Sequence, residues 1–241
     1  MDEKDQPGAS FRTTQWTLIA DAQAGDGLRA GKALGRLCRL YWRPVYHFIR
    51  LRGHSPHDAE DLTQGFFEAL IEKDYLKSVD QGRGKFRSFL MTATKHFLSD
   101  VFDRKRAWKR GGRTSFVSLD LDDAEDGVAA ELATAVDPEV AFDRVWASTV
   151  LDRSVLRLKQ LYEVRGKTER YERLRPCLVG GSGQAYATYA EALGVSEAVV
   201  KTEVKRMRQS FRNILRDEVR ETLADSDELE AEIRYLGSLI D

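Results

Sequence analysis

Residues 189–208, YAEALGVSEAVVKTEVKRMR, decide how this chain is read. The stretch encodes two short helices joined by a tight turn, the second of them basic. Ala190 is small enough for two helices to cross closely, and Gly194 suits the positive φ that ends the first helix. Ser196 is a favourable N-cap for the second helix, and Val200, Val204 and Met207 give it an apolar stripe. Lys201, Lys205, Arg206 and Arg208 fall largely off that stripe, where a duplex could reach them. This is the pattern of a helix-turn-helix whose second helix enters the major groove. An ordinary helical hairpin would share the turn but would not need the basic flank.

Working outward, the formal net charge of −1 over 241 residues argues on its own against a nucleic-acid partner. Its distribution argues the other way. From Arg83 to Arg113 there are ten Lys/Arg and two Asp, a net of +8, whereas Thr114 to Asp143 carries nine Asp/Glu and no Lys/Arg. Glu197 to Arg216 holds six basic and two acidic residues, and Asp217 to Asp241 holds two basic and nine acidic. Two basic surfaces, separated and followed by acidic segments, suit a protein that grips a polyanion at two places.

Composition, 42% apolar and 32% charged, suits a helix-rich chain with small cores. The start MDEKDQPGAS is acidic and polar, unlike a signal peptide, and no apolar run approaches a membrane span, so a cytoplasmic location is expected. Cys38 and Cys177 lack metal-binding spacing and read as reduced thiols.

Apolar periodicity places a first helix from Thr14 to near Gly25 and a second from about Gly31 to Arg52, which Pro44 should kink or split. Ser55, Pro56 and Asp58 start a third helix with Ala59, Leu62, Phe66, Phe67, Leu70 and Ile71 on its apolar face. A fourth is expected over about Lys85 to Lys109. Residues 114–138 read as an acidic linker, and helices resume from Pro138 through Val164 with Phe142, Trp146, Val150 and Leu158 as core. Gly180–Gly183 reads as a loop, and 226–241 as a short acidic amphipathic helix. The fold class is all-α: two small helical domains joined by an acidic linker.

The fourth helix interleaves aromatics with cations: Phe86, Arg87, Phe89, Lys95, His96, Phe97, Phe102, then Arg104, Lys105, Arg106, Trp108, Lys109 and Arg110. Cations hold phosphates, and exposed aromatic faces stack on unpaired bases. Such a helix suits a partly melted duplex. His57 and Asp61 have the spacing of two metal ligands on one helix face, but no third follows, and helix capping explains the nearby carboxylates. No catalytic constellation stands out, and the glycines at 180–183 lack the ending of a phosphate-binding loop. Neither enzyme, metal nor cofactor is expected.

In this order the segments resemble the extracytoplasmic-function sigma factors of bacterial RNA polymerase. HDAEDLTQGFFEAL (57–70) looks like the family's polymerase-docking region, GKFRSFLMTATKHFLSDVFDRKR (84–106) like the helix that reads and opens the minus-ten element, and YAEALGVSEAVVKTEVKRMRQSF (189–211) like the domain-four helix-turn-helix that reads the minus-thirty-five element. The resemblance implies polymerase contacts at Asp58, Glu60, Asp61, Leu62, Gln64 and Phe67. It implies contact with the opened strand at Lys95, His96, Asp100, Arg104, Lys105 and Arg106, with Lys109 and Arg110 continuing the basic face. It implies promoter reading by Ser196, Glu197, Ala198, Lys201, Thr202, Lys205 and Arg206. The expected division of the chain is a disordered N-terminus (1–10), domain two (11–112), linker (113–138), domain four (139–223) and an acidic tail (224–241). The implied partners are core RNA polymerase through its clamp and flap, promoter DNA, and an anti-sigma factor or other regulator. Lys95-His96 stands where the family usually has an arginine-asparagine pair, and the leucine-proline-rich start of domain four is replaced by Gly166–Gly183. The rival reading is a helix-turn-helix regulator that binds an operator without polymerase; it would need neither 57–70 nor the basic-aromatic helix.

Overall fold

Local chemistry sets where the helices begin and end. The Ser55 hydroxyl oxygen accepts the Asp58 backbone N–H at 3.1 Å and its O–H donates to the Asp58 carboxylate at 2.8 Å. Asp137 accepts the Glu139 N–H at 2.8 Å ahead of Pro138. Each cap satisfies a donor the helix cannot, and is worth about 0.5–2 kcal/mol.

The computed structural model describes residues 27–72, 85–107, 136–178, 186–223 and 226–240. Among them the chain forms α1 (Gly27–Leu51), α2 (Pro56–Glu72), α3 (Phe86–Ala107), α4 (Pro138–Val164), α5 (Thr168–Leu174), α6 (Tyr186–Leu193), α7 (Glu197–Arg220) and α8 (Leu229–Gly237). Short 3-10 turns, Arg175–Cys177 and Ser226–Glu228, follow α5 and precede α8. The extended pairing among these residues is one isolated antiparallel bridge, Lys85 with Leu223. The architecture is all-α, as the periodicity predicts. The expected Thr14–Gly25 helix, most of the acidic linker and the Gly180–Gly183 loop lie outside the described residues.

Pro44 does not divide α1, which runs unbroken from Gly27 to Leu51. A proline inside a helix costs about 3 kcal/mol, but Tyr41, Val45, Tyr46, Phe48 and Ile49 around it are at most 1% exposed. Packing on both sides of the proline holds the helix together. The stretch after Gly166, for which the sequence offers no helix, contains α5 and its 3-10 turn. Its buried Tyr171, Leu174 and Cys177 are too few to show a period.

The helices enclose two apolar cores. The first gathers Tyr41, Phe48, Phe66, Phe86 and Phe97 from α1–α3, with Phe142 and Trp146 from the start of α4, Val219 from the end of α7, and Leu229 and Leu236 from α8. The second gathers Leu158, Tyr171, Leu174, Cys177, Tyr189, Ala190, Val200, Val204 and Met207. Thus α4 and α7 run through both cores in opposite directions. Glu218 near the end of α7, 1% exposed, is held by Arg153 at 2.7 Å and by Arg157, both on α4. The sequence division at the acidic linker is therefore crossed by packing, because the first turns of α4 belong to the core of α1–α3. Cys38 is half-buried and burial pushes its thiol up to about 12, while Cys177 is fully buried; both are reduced.

The centre of the first core is aromatic. Trp146 stacks on Tyr41 at 4.5 Å with ring planes 7° apart, and Phe86 lies 5.0 Å from Tyr41 and 5.9 Å from Trp146. Trp146→Ala removes a side chain only 1% exposed and should cost about 3–5 kcal/mol in urea denaturation followed by circular dichroism. A loss under about 1 kcal/mol would show that α4 is not integral to this core.

Candidate nucleic-acid interface

The helix-turn-helix is built as its residues require. α6 ends in paired backbone bonds, Val195 N–H to the Ala190 carbonyl at 3.0 Å and Gly194 N–H to the Glu191 carbonyl at 3.2 Å, with Gly194 at φ +63°. Ser196 then caps α7, its side chain accepting the Val199 N–H at 3.4 Å. Val200, Val204 and Met207 are buried, which fixes the roll of α7. That roll leaves Ser196, Glu197, Ala198, Lys201, Thr202, Lys205 and Arg206 exposed along one face. Lys201 pairs with Glu197 one turn away at 2.8 Å across solvent. Arg208 departs from expectation: its Nε–H donates to the Cys177 carbonyl at 2.9 Å, so it straps α7 to the turn after α5 rather than facing a duplex.

On α3, His96 and Asp100 are exposed, and Phe102 is 60% exposed, a large aromatic face in water beside them. Lys95 is half-buried and ion-paired with Glu139 in the first turn of α4. The backbone of α3 continues through Arg104, Lys105 and Arg106, whose side chains lie outside the described residues, as do Lys109 and Arg110. Phe86 and Phe97, counted in the basic-aromatic pattern, are core.

On α2, Asp58 and Asp61 are exposed and Glu60 and Gln64 half-exposed, whereas Leu62 and Phe67 are 8% and 4% exposed and pack inward. Those two anchor α2 to the first core from beneath. His57 and Asp61, which the sequence places one turn apart, form a solvent-exposed pair at 3.9 Å. No group of three metal-ligating side chains occurs among the described residues.

A further cluster escaped sequence reading. Arg87, in the first turn of α3 and 8% exposed, donates to Glu232 of α8 and Asp143 of α4, both at 2.6 Å, with its guanidinium 4.5 Å from the centre of the Tyr235 ring. Lys85 reaches Glu232 at 2.8 Å, and the Phe86 N–H donates to the Thr222 carbonyl at 2.9 Å, tying the end of α7 to the start of α3. Tyr235 also donates its O–H to Asp143. The partners are 56 and 145 residues apart in the chain, so no local pattern announces them. Burial alone would raise the Glu232 carboxyl, but hydrogen bonds from Arg87 and Lys85 outweigh it and hold it below the usual carboxylate range. The Arg87 guanidinium, which burial alone would lower, is held above its ordinary value by the same carboxylate.

Among known families, Sigma-70 region 2 matches residues 37–109, which cover most of α1, all of α2 and all of α3. Comparison with curated proteins and with solved structures gives no match. No helix among the described residues is long and apolar enough to cross a membrane.

Because Glu232 has a lowered value in the folded chain, its charge stabilises fully above the ordinary glutamate value of about 4.3. That stability is lost as pH falls through the lower folded value. The melting temperature of the wild type should therefore drop more steeply than that of Glu232→Gln below about pH 4. Parallel curves for the two proteins would show that this carboxylate carries no such charge.

Proposed function

We propose that this chain, whose residues 37–109 match Sigma-70 region 2, is a sigma-70-family initiation factor of the extracytoplasmic-function type that directs core RNA polymerase to promoters. The observation that carries the reading is the region 2 match on α1–α3 in one chain with a capped helix-turn-helix whose basic face is turned to solvent. A sigma region 2 supports binding to both core polymerase and promoter DNA. The division of labour among the three surfaces is our own reading.

In that reading the exposed carboxylates at the start of α2, Asp58 and Asp61 with Glu60 and Gln64 beside them, face the polymerase clamp. Leu62 and Phe67 keep that surface in shape. His96, Asp100 and Phe102 of α3 meet the strand exposed by melting: the ring stacks on a base, and the basic end of the helix holds phosphates. Lys201, Thr202, Lys205 and Arg206 of α7 enter the major groove of the upstream duplex, their register set by the Ser196 cap and the Gly194 turn. The acidic segment 113–138 follows a path lined for nucleic acid.

Run-off transcription with core polymerase and genomic DNA fragments tests the reading. Specific starts that require this protein are expected, and a chain that gives none while still binding duplex is an operator-binding regulator. Lys205→Ala and Arg206→Ala should each weaken upstream duplex binding by about 1–3 kcal/mol where they touch base edges. Both should leave polymerase copurification unchanged. Asp61→Arg, at an exposed site with one weak partner, should abolish copurification without moving the melting temperature. Retained copurification would relocate the docking surface.

A further inference from the structure

Three cations at the start and middle of α3 are occupied by carboxylates from other parts of the chain. Lys85 and Arg87 hold Glu232 of α8, Arg87 also holds Asp143 of α4, and Lys95 holds Glu139 one turn before Asp143. Glu139 and Asp143 lie four residues apart on one face of α4, so they follow α3 as a row of negative charge, and Glu232 continues the row toward the start of that helix. A row of anions spaced along a cationic helix edge is what a nucleic-acid backbone would also supply.

The element that completes the row is short. α8 spans nine residues, Leu229–Gly237, too short to persist as a helix away from a packing surface. Leu229 and Leu236 are buried, but an apolar cleft of about 250 Å³ remains beside it, lined among others by Val150, Leu151, Leu215, Ile233 and Ile240. Its polar attachment is concentrated in Glu232, with Tyr235 reaching Asp143 and Glu230 pairing with Arg216 at its edge. A short helix beside an unfilled cleft, with its buried charge gathered in one carboxylate, can be displaced as a unit once that carboxylate loses its cations.

We infer that α8 is a displaceable intramolecular clasp: with Glu139 of α4, its Glu232 occupies the cationic edge of α3 in place of a polyanion, and single-stranded DNA competes for that edge. The inference rests on reading α3 as a strand-contacting helix. The face of α7 that carries Lys201, Lys205 and Arg206 is exposed while the clasp is closed. The clasp thus restrains single-strand capture and leaves duplex contact open. It keeps the chain from holding unpaired strands before a duplex site is engaged.

The test compares wild type with Glu139→Gln/Glu232→Gln for binding a labelled 30-nucleotide mixed-sequence single strand across a salt series, with a duplex of the same sequence as control. The doubly substituted chain should bind the single strand roughly tenfold more tightly and show a steeper salt dependence. Each newly engaged phosphate adds about 0.7 to the slope of log affinity against log salt. Duplex affinity should be unchanged. A folded variant with wild-type single-strand affinity and slope would overturn the clasp. A second measurement needs no substitution: carbodiimide should join Lys85 to Glu232 in the wild type, since their charged groups are 2.8 Å apart. The yield of that cross-link, measured by mass spectrometry, should fall when the single strand saturates the protein. An unchanged yield would overturn the inference as surely. Polymerase takes no part in either measurement, so a failure of start-site selection in run-off transcription is distinguished from a failure of the clasp.

Discussion

The contact of Trp146 with Tyr41 and Phe86 is the joint on which the rest of the molecule hangs. Three rings, one each from α1, α3 and α4, meet within 4.5–5.9 Å. The joint fixes where α4 starts, and α4 in turn carries the second core at its far end. Because α7 returns alongside α4, with Glu218 gripped by Arg153 and Arg157, the helix-turn-helix is not merely tethered. A 24-residue helix is about 36 Å long, so α7 acts as a strut between its exposed basic face and the core of α1–α3.

Polar chemistry is arranged around that joint with different weights. The exposed pairs Lys201–Glu197 and His57–Asp61 are solvated and contribute little to stability. The Arg87 cluster is another matter, because Glu232 and Arg87 are almost wholly withdrawn from water. Such a pair adds little net stability over an apolar contact of the same shape, yet loss of one partner costs about 3–5 kcal/mol. The cluster therefore marks where α8 sits when Glu232 meets Lys85 and Arg87.

The candidate surfaces divide by how local their causes are. The helix-turn-helix was legible almost residue by residue, since Ala190, Gly194, Ser196 and the Val200, Val204, Met207 stripe each act within a turn or two of chain. The start of α2 was legible for the same reason, through Ser55, Pro56 and Asp58. Arg208 was misread because its partner, the Cys177 carbonyl, sits 31 residues away. Leu62 and Phe67 carry a motif resemblance that says nothing of which way they point, and they point inward.

By itself the sequence determined the helical class, most helix starts, the basic face of α7 and the exposed carboxylates at the start of α2, because caps, periodicity and charge are properties of neighbouring residues. Tertiary structure alone decided that α1 survives Pro44, that α4 joins the first core, and that Lys85, Arg87 and Lys95 are answered by Glu232, Asp143 and Glu139. Those outcomes depend on which side chains meet after the chain has closed over long loops. Charge counts along a sequence record how many cations and carboxylates there are, not which of them neutralise one another.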